Sequence, residues 1–131
     1  MKAQPIKILL IDKHESDRAR LYRSLTDACP GILLFEASDC ESGLAQFKTL
    51  VPDCVVLELK QDDMLGIEIL NLIKSEMAGK PVPMFVWTRL NHEVLRSVAS
   101  TLGIQGYFSK ATGSELNLTR AILDATGEGK R

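Results

Sequence analysis

No stretch of this 131-residue chain approaches the roughly 18 consecutive apolar residues that a membrane-spanning helix needs. The opening MKAQPIKILLID carries an apolar run too short for a secretory signal. It lacks a small-residue cleavage site and ends in charge. Excess charge of one sign is also missing: 16 Lys+Arg stand against 17 Asp+Glu, a formal net of −1. Such a chain has no basic field for nucleic acid or anionic membrane, so neither is expected as a partner. The three cysteines, Cys29, Cys40 and Cys54, are odd in number and lack metal-ligand spacing, which points to reduced thiols in the cytoplasm. Cys40 is placed in a first helical turn, where a thiol pKa falls. Aromatic residues make up 5% of the chain, few for stacking a flavin, and there is neither a G-x-G-x-x-G nor a P-loop.

What is present is alternation. Short apolar runs at Ile6–Ile11, Ile32–Ala37, Cys54–Leu59, Met84–Thr88 and Gly106–Ser109 alternate with helix-period segments. IKILLI, CVVLEL and MFVWT are almost continuously apolar, as strands covered on both faces must be, so the sheet is parallel. Ser38 and Glu41 form an S-x-x-E capping box before Leu44, Phe47 and Leu50. Leu21, Leu25 and Ala28 give the first helix its buried stripe, and Ile69, Ile73 and Met77 give the third. The fourth is capped by Asn91 and buries Val94 or Leu95, Val98 and Leu102. The fifth is capped by Ser114 and buries Leu118 and Ile122. Strand–helix alternation with short connections gives a doubly wound α/β fold with right-handed crossovers. The length suits one domain over residues 1–126, leaving 127–131 (GEGKR) as a tail or the start of a linker.

In such sheets, sites lie outside the carboxyl ends of the strands. The residues there are Asp12-Lys13-His14, Glu58 through Asp63, Thr88-Arg89 and Lys110. Acids, a hydroxyl and a lysine thus converge from four strands.

These stretches resemble the receiver domain of two-component response regulators, from Ile6 to Leu123. IKILLIDKHESDRARL is similar to the family's first strand and its terminal pair of acids. PDCVVLELKQDDMLGIEIL is similar to the third strand with its phosphoacceptor aspartate. PVPMFVWTRL matches the fourth strand with its terminal hydroxyl, and GIQGYFSKA the fifth with a switch aromatic three residues before a lysine. The resemblance implies a flavodoxin-like (βα)5 sandwich with strand order 2-1-3-4-5, and signalling rather than enzymatic activity. Carried over, Asp12 matches the first acid of the pair, while Lys13 stands where the second belongs. Glu58 stands at the phosphoacceptor position. Thr88 and Lys110 match the phosphoryl-contacting hydroxyl and lysine, and Tyr107 the aromatic that turns inward on activation. Gln61-Asp62 replaces the usual Met-Pro, and Arg89 holds a position normally given to a small residue.

The departures fall on the chemistry. An ordinary receiver holds Mg²⁺ with carboxylates from the pair and the acceptor, and Mg²⁺ demands near-octahedral oxygen geometry. With Asp12 and Glu58 facing Lys13 and Lys110, the pocket is expected to be neutral without a metal, Lys13 doing the metal's electrostatic work. Neither a catalytic residue nor a cofactor is expected, and Mg²⁺ binding is doubtful on this count. The leading expectation is a pseudo-receiver in the cytoplasm that acts through protein contacts. Its partner would be a histidine kinase, a regulator or an output domain. The face formed by the fourth helix, fifth strand and fifth helix, with His92, Arg96 and Arg120, would dock that partner or a second copy. One alternative keeps a phosphorelay role, with Asp62 or Asp63 as metal ligand. Another is a small flavodoxin-like enzyme or cofactor binder.

Overall fold

The computed structural model describes residues 4–77, 79–90 and 92–127. Five strands, β1 (Lys7–Ile11), β2 (Leu33–Ala37), β3 (Cys54–Leu57), β4 (Met84–Thr88) and β5 (Gly106–Ser109), alternate with five helices. These are α1 (Glu15–Ala28), α2 (Cys40–Leu50), α3 (Gly66–Ser75), α4 (Glu93–Thr101) and α5 (Ser114–Ala125). The sheet is parallel throughout, in the order β2-β1-β3-β4-β5.

The apolar runs split by alternate residues into two cores, because successive side chains of a strand point to opposite faces. Ile8, Leu10, Val56, Phe85 and Trp87 meet Leu21 and Leu25 of α1 and Leu118 and Ile122 of α5. Leu9, Ile11, Val55, Leu57 and Val86 meet Cys40 and Phe47 of α2, Ile69 and Ile73 of α3, and Ala99 of α4. Helices therefore cover both faces, and strands β1, β3 and β4 have almost no side left for polar residues.

Several local expectations need correction. The cap of α2 is Asp39, whose carboxylate accepts from the Ser42 N–H at 2.8 Å, so the Ser38–Glu41 box does not form. Ala28 is exposed, and Ser24 takes the inward place on α1, bonded to Thr119 of α5 at 2.6 Å. On α4 the inward stripe is Leu95, Ala99 and Leu102, while Val94 and Val98 face outward. Two apolar stripes compete on that helix, and the small Ala99 wins because it lets the helix approach the sheet. Asn91 lies outside the described residues; the N-cap is His92, whose Nδ1 accepts from Val94 N–H at 3.2 Å. Ser114 is the first residue of α5 rather than its cap, and its Oγ accepts the indole N–H of Trp87 at 2.9 Å. The Cys40 thiol is pushed up to about 12, first by burial and then by the nearby Asp63 carboxylate, the reverse of the helix-turn expectation.

Candidate functional site

Four strands end at one buried cluster. Asp12 follows β1, Glu58 follows β3, Thr88 closes β4 and Lys110 follows β5, and all four are buried. The sheet ladder itself fixes their backbones: Asp12 N–H donates to Ala37 O at 2.9 Å, Glu58 N–H to Ile11 O at 3.0 Å, and Lys110 N–H to Thr88 O at 2.9 Å. The convergence read from the sequence is therefore present in space.

Lys110 is the hub. Its Nζ lies 2.5 Å from Asp12 Oδ2, 3.0 Å from Asp17 Oδ2 and 2.9 Å from Glu58 Oε1, with no side-chain exposure. Buried charges persist only when paired, and one ammonium with three donors can serve three carboxylates. Burial alone would lower the Lys110 pKa, but the hydrogen bond and charge of Asp12, then Glu58, outweigh it and raise it.

Glu58 is held on both oxygens. Oε2 accepts from the Thr88 hydroxyl and from Lys60 N–H at 3.1 Å. Oε1 accepts from Lys110 Nζ and from Arg89 N–H at 3.2 Å. The side chain that is one methylene longer than aspartate thus reaches the donors of strand ends β4 and β5.

Lys13 is not in this cluster, which overturns the expectation that it neutralises the pocket. Its ammonium pairs with Asp62 Oδ1 at 2.8 Å, and the Asp62 side chain is 82% exposed. Asp62 is accordingly outside the pocket too. Asp63 is committed elsewhere, accepting from Cys40 N–H at 3.1 Å and Glu41 N–H at 2.9 Å. Neither acid turns toward Asp12, so the alternative metal ligands of the phosphorelay reading are absent. Gln61, in the place of the usual Met, ties the loop to the sheet: its Nε2 donates to Glu58 O at 2.6 Å and Ile11 O at 3.3 Å.

Two residues the sequence reading did not assign complete the cluster. Asp17, on the inward face of α1, adds a third carboxylate. Arg89, the bulky residue after Thr88, lays Nη2 against both Asp17 oxygens at 2.9 Å. A signal for Asp17 was available, since it sits four residues before Leu21 on the same helical stripe. Burial pushes the Asp17 carboxyl up, but Lys110 and then Arg89 outweigh it and hold it below its ordinary value.

That shift fixes a pH window. A carboxyl whose folded pKa lies below the ordinary 3.8 stabilises the fold above 3.8 and loses that contribution as pH falls through the lowered value. Lys110, raised above 10.5, stabilises below that value and loses its contribution as pH climbs through the raised one. Urea midpoints measured against pH are expected to fall away on both sides of this range, with Asp17→Asn flattening the acid limb.

The donor chemistry does not fit Mg²⁺ as these side chains stand. Every oxygen of Asp12, Asp17 and Glu58 already accepts from a backbone N–H, a hydroxyl, Lys110 or Arg89. Asp12, His14 and Asp17 do place one ligand-type atom each within 4.8 Å of the others. One nitrogen among two carboxylates is a poor match for an ion that prefers six oxygens.

The expected docking residues divide between two surfaces. Arg96 stacks over the Tyr107 ring, Cζ 4.5 Å from its centroid, and His92 is exposed at the start of α4. Arg120 instead lines a groove between α1 and α5 with Asp27, Ala28 and Leu116. The Tyr107 hydroxyl donates to Leu90 O at 2.5 Å. Among the described residues, no helix is long and apolar enough to cross a membrane.

Comparison with known proteins agrees with this fold. The chain is 31% identical over 126 residues to the nitrate/nitrite response regulator protein NarL of Escherichia coli K12, covering 95% of this chain and 57% of that one. It is 27% identical over 110 residues to the response regulator protein VraR of Staphylococcus saprophyticus, covering 84% and 52%. The chain thus spans about half the length of these curated relatives. Among solved structures, a CheY-like receiver domain protein from Methanospirillum hungatei JF-1 superposes with a TM-score of 0.82 at 18% identity, covering 97% of this chain and 98% of that one. The response regulator domain of Thermotoga maritima CheB gives 0.79 at 22%, covering 95% and 98%. The family model for the response regulator receiver domain matches residues 8–122, and with the sheet order and the strand-end cluster it follows that the chain belongs to the receiver domain family of two-component signalling.

Proposed function

We propose that this receiver signals in the cytoplasm through protein contacts without aspartyl phosphorylation, Glu58 serving as a built-in substitute for the phosphorylated side chain. One observation carries the reading. The Glu58 carboxylate collects the Thr88 hydroxyl, the Lys110 ammonium and the Lys60 and Arg89 backbone N–H groups. Thr88 and Lys110 are the groups that the family resemblance assigns to the phosphoryl group. An anion that already satisfies them leaves no donors for an incoming one.

The inward, bonded Tyr107 supports an activated rather than a resting state. Burial raises its phenol pKa, which keeps the hydroxyl protonated as donor to Leu90. Beside it, α4 exposes Val94 at 62% and Val98 at 39%, flanked by Arg96. An apolar strip with a cationic rim is a fitting surface for a kinase, a regulator or an output domain, or for a second copy of this chain.

Phosphoryl transfer depends on in-line geometry and charge neutralisation, and a displacement of about 1 Å costs on the order of 10²-fold. The test exposes the purified chain to Mg²⁺ with beryllofluoride, and separately to a small-molecule phosphoryl donor. Trp87, fully buried and with its ring centroid 5.1 Å from Lys110 Nζ, reports the pocket by its emission. No emission change and no mass increase of one phosphoryl group are expected. A stable adduct on either reagent would overturn the reading.

A further inference from the structure

The pocket holds a cation of its own, and it is not Lys13. Asp12, Asp17 and Glu58 are all buried, and Lys110 is the only ammonium among them in the described residues. One lysine leaves two negative charges uncompensated, the same imbalance that an ordinary receiver offers to a divalent ion. Arg89 removes half of it. Its guanidinium reaches in from the end of β4, with both Asp17 oxygens at 2.9 Å, while its side chain stays 49% exposed. Arg20 approaches Asp17 only at 3.4 Å and is committed to Glu115 at 2.7 Å.

We propose that Arg89 is an internal counter-ion: a positioning residue that supplies part of the charge a divalent cation would bring and, by holding both Asp17 oxygens, keeps an Asp12–His14–Asp17 cation site closed. Two substitutions then form one exchange. The acid missing at Lys13 is resupplied from α1 by Asp17, and half of the charge that would recruit a metal is met by Arg89 instead. His14 gives the site its third member. Its side chain is 35% exposed, but its Nδ1 is shielded and has no hydrogen-bond partner, 3.4 Å from Asp12 Oδ1 and 3.8 Å from Asp17 Oδ2. An imidazole nitrogen beside two carboxylates suits Mn²⁺ better than Mg²⁺. A half-exposed side chain is also the member of the cluster that can leave without unpacking the core.

The inference rests on the reading of the pocket as self-contained, but its test uses metal alone, so the two fail separately. Mn²⁺ is titrated into the wild-type chain, Arg89→Gln, Arg89→Lys and Arg89→Gln/Asp17→Asn. Loss of the free Mn²⁺ paramagnetic resonance signal and the emission of Trp87 are the two readouts. The wild type and Arg89→Lys are expected to show no saturable binding at millimolar Mn²⁺. Arg89→Gln is expected to bind one equivalent with at least a tenfold gain in affinity, and the double variant to lose that gain. Saturable binding by the wild type, or none by a folded Arg89→Gln, would overturn the proposal. Should Arg89→Gln fail to fold, Arg89→Ala is judged by the same two readouts. Should neither variant fold, Arg89 would be a structural requirement rather than a replaceable counter-ion, and the proposal would equally fall.

Discussion

Lys110→Met is expected to lower the unfolding free energy by about 3–5 kcal/mol, the range for removing one partner of a buried ion pair. Methionine preserves most of the aliphatic volume, so the loss is electrostatic rather than a cavity effect. Three carboxylates lie within 3.0 Å of this one ammonium, and no other cation touches Asp12 or Glu58 through a side chain at hydrogen-bond distance among the described residues. Without it the cluster must take up protons to stay buried. The folded variant then binds more protons than the unfolded chain, so its stability falls as pH rises from the carboxylate range toward neutrality. This is opposite in sign to the acid limb expected of the wild type, where Asp17 is held ionised by Lys110 and Arg89. Urea melts of both chains at several pH values would show it. An unchanged midpoint at neutral pH, or parallel pH profiles, would remove Lys110 from the centre of the pocket. Lys110→Arg, which keeps the charge, is expected to recover part of the stability.

The cluster was legible in the sequence because strand ends in a parallel α/β sheet share one edge. Asp12, Glu58, Thr88 and Lys110 needed only strand boundaries to be brought together, and those boundaries lie in nearly continuous apolar runs. Lys13 was misplaced for a reason that the same rule explains. It follows the strand by two residues, where the chain is already turning into α1, so adjacency to Asp12 says nothing about direction. The exposed Asp62 then offers an ion pair that costs no burial. Asp17 was missed because it belongs to a helix rather than a strand end, although the stripe with Leu21 and Leu25 points it inward. Arg89 was noticed as an unfitting side chain without its partner, since the pairing joins α1 to β4 across 72 residues of sequence. The α4 stripe failed because Val94 and Val98 look more apolar than Ala99, while the helix's approach to the sheet rewards the smallest residue.

Gly66→Ala is the second change with a large expected effect, a loss of about 3 kcal/mol, the upper end of what overpacking costs. A Cβ on Gly66 would stand 2.5 Å from Leu59 Cα and 2.7 Å from its carbonyl oxygen. These are backbone atoms, so no rotamer change relieves the contact; either α3 or the segment leaving β3 must move. That segment carries Glu58 one residue earlier, and Lys60 N–H holds its carboxylate one residue later. A shift large enough to clear the contact therefore also loosens the bonds from Thr88 and Arg89. The variant should differ from wild type in Trp87 emission as well as in its urea midpoint. Gly31→Ala is the matched control, with nothing within 4 Å of its added methyl and an expected change within about 0.5 kcal/mol. If both alanines behaved alike, the close passage of α3 over Leu59 would not be what fixes Glu58 at the mouth of the sheet.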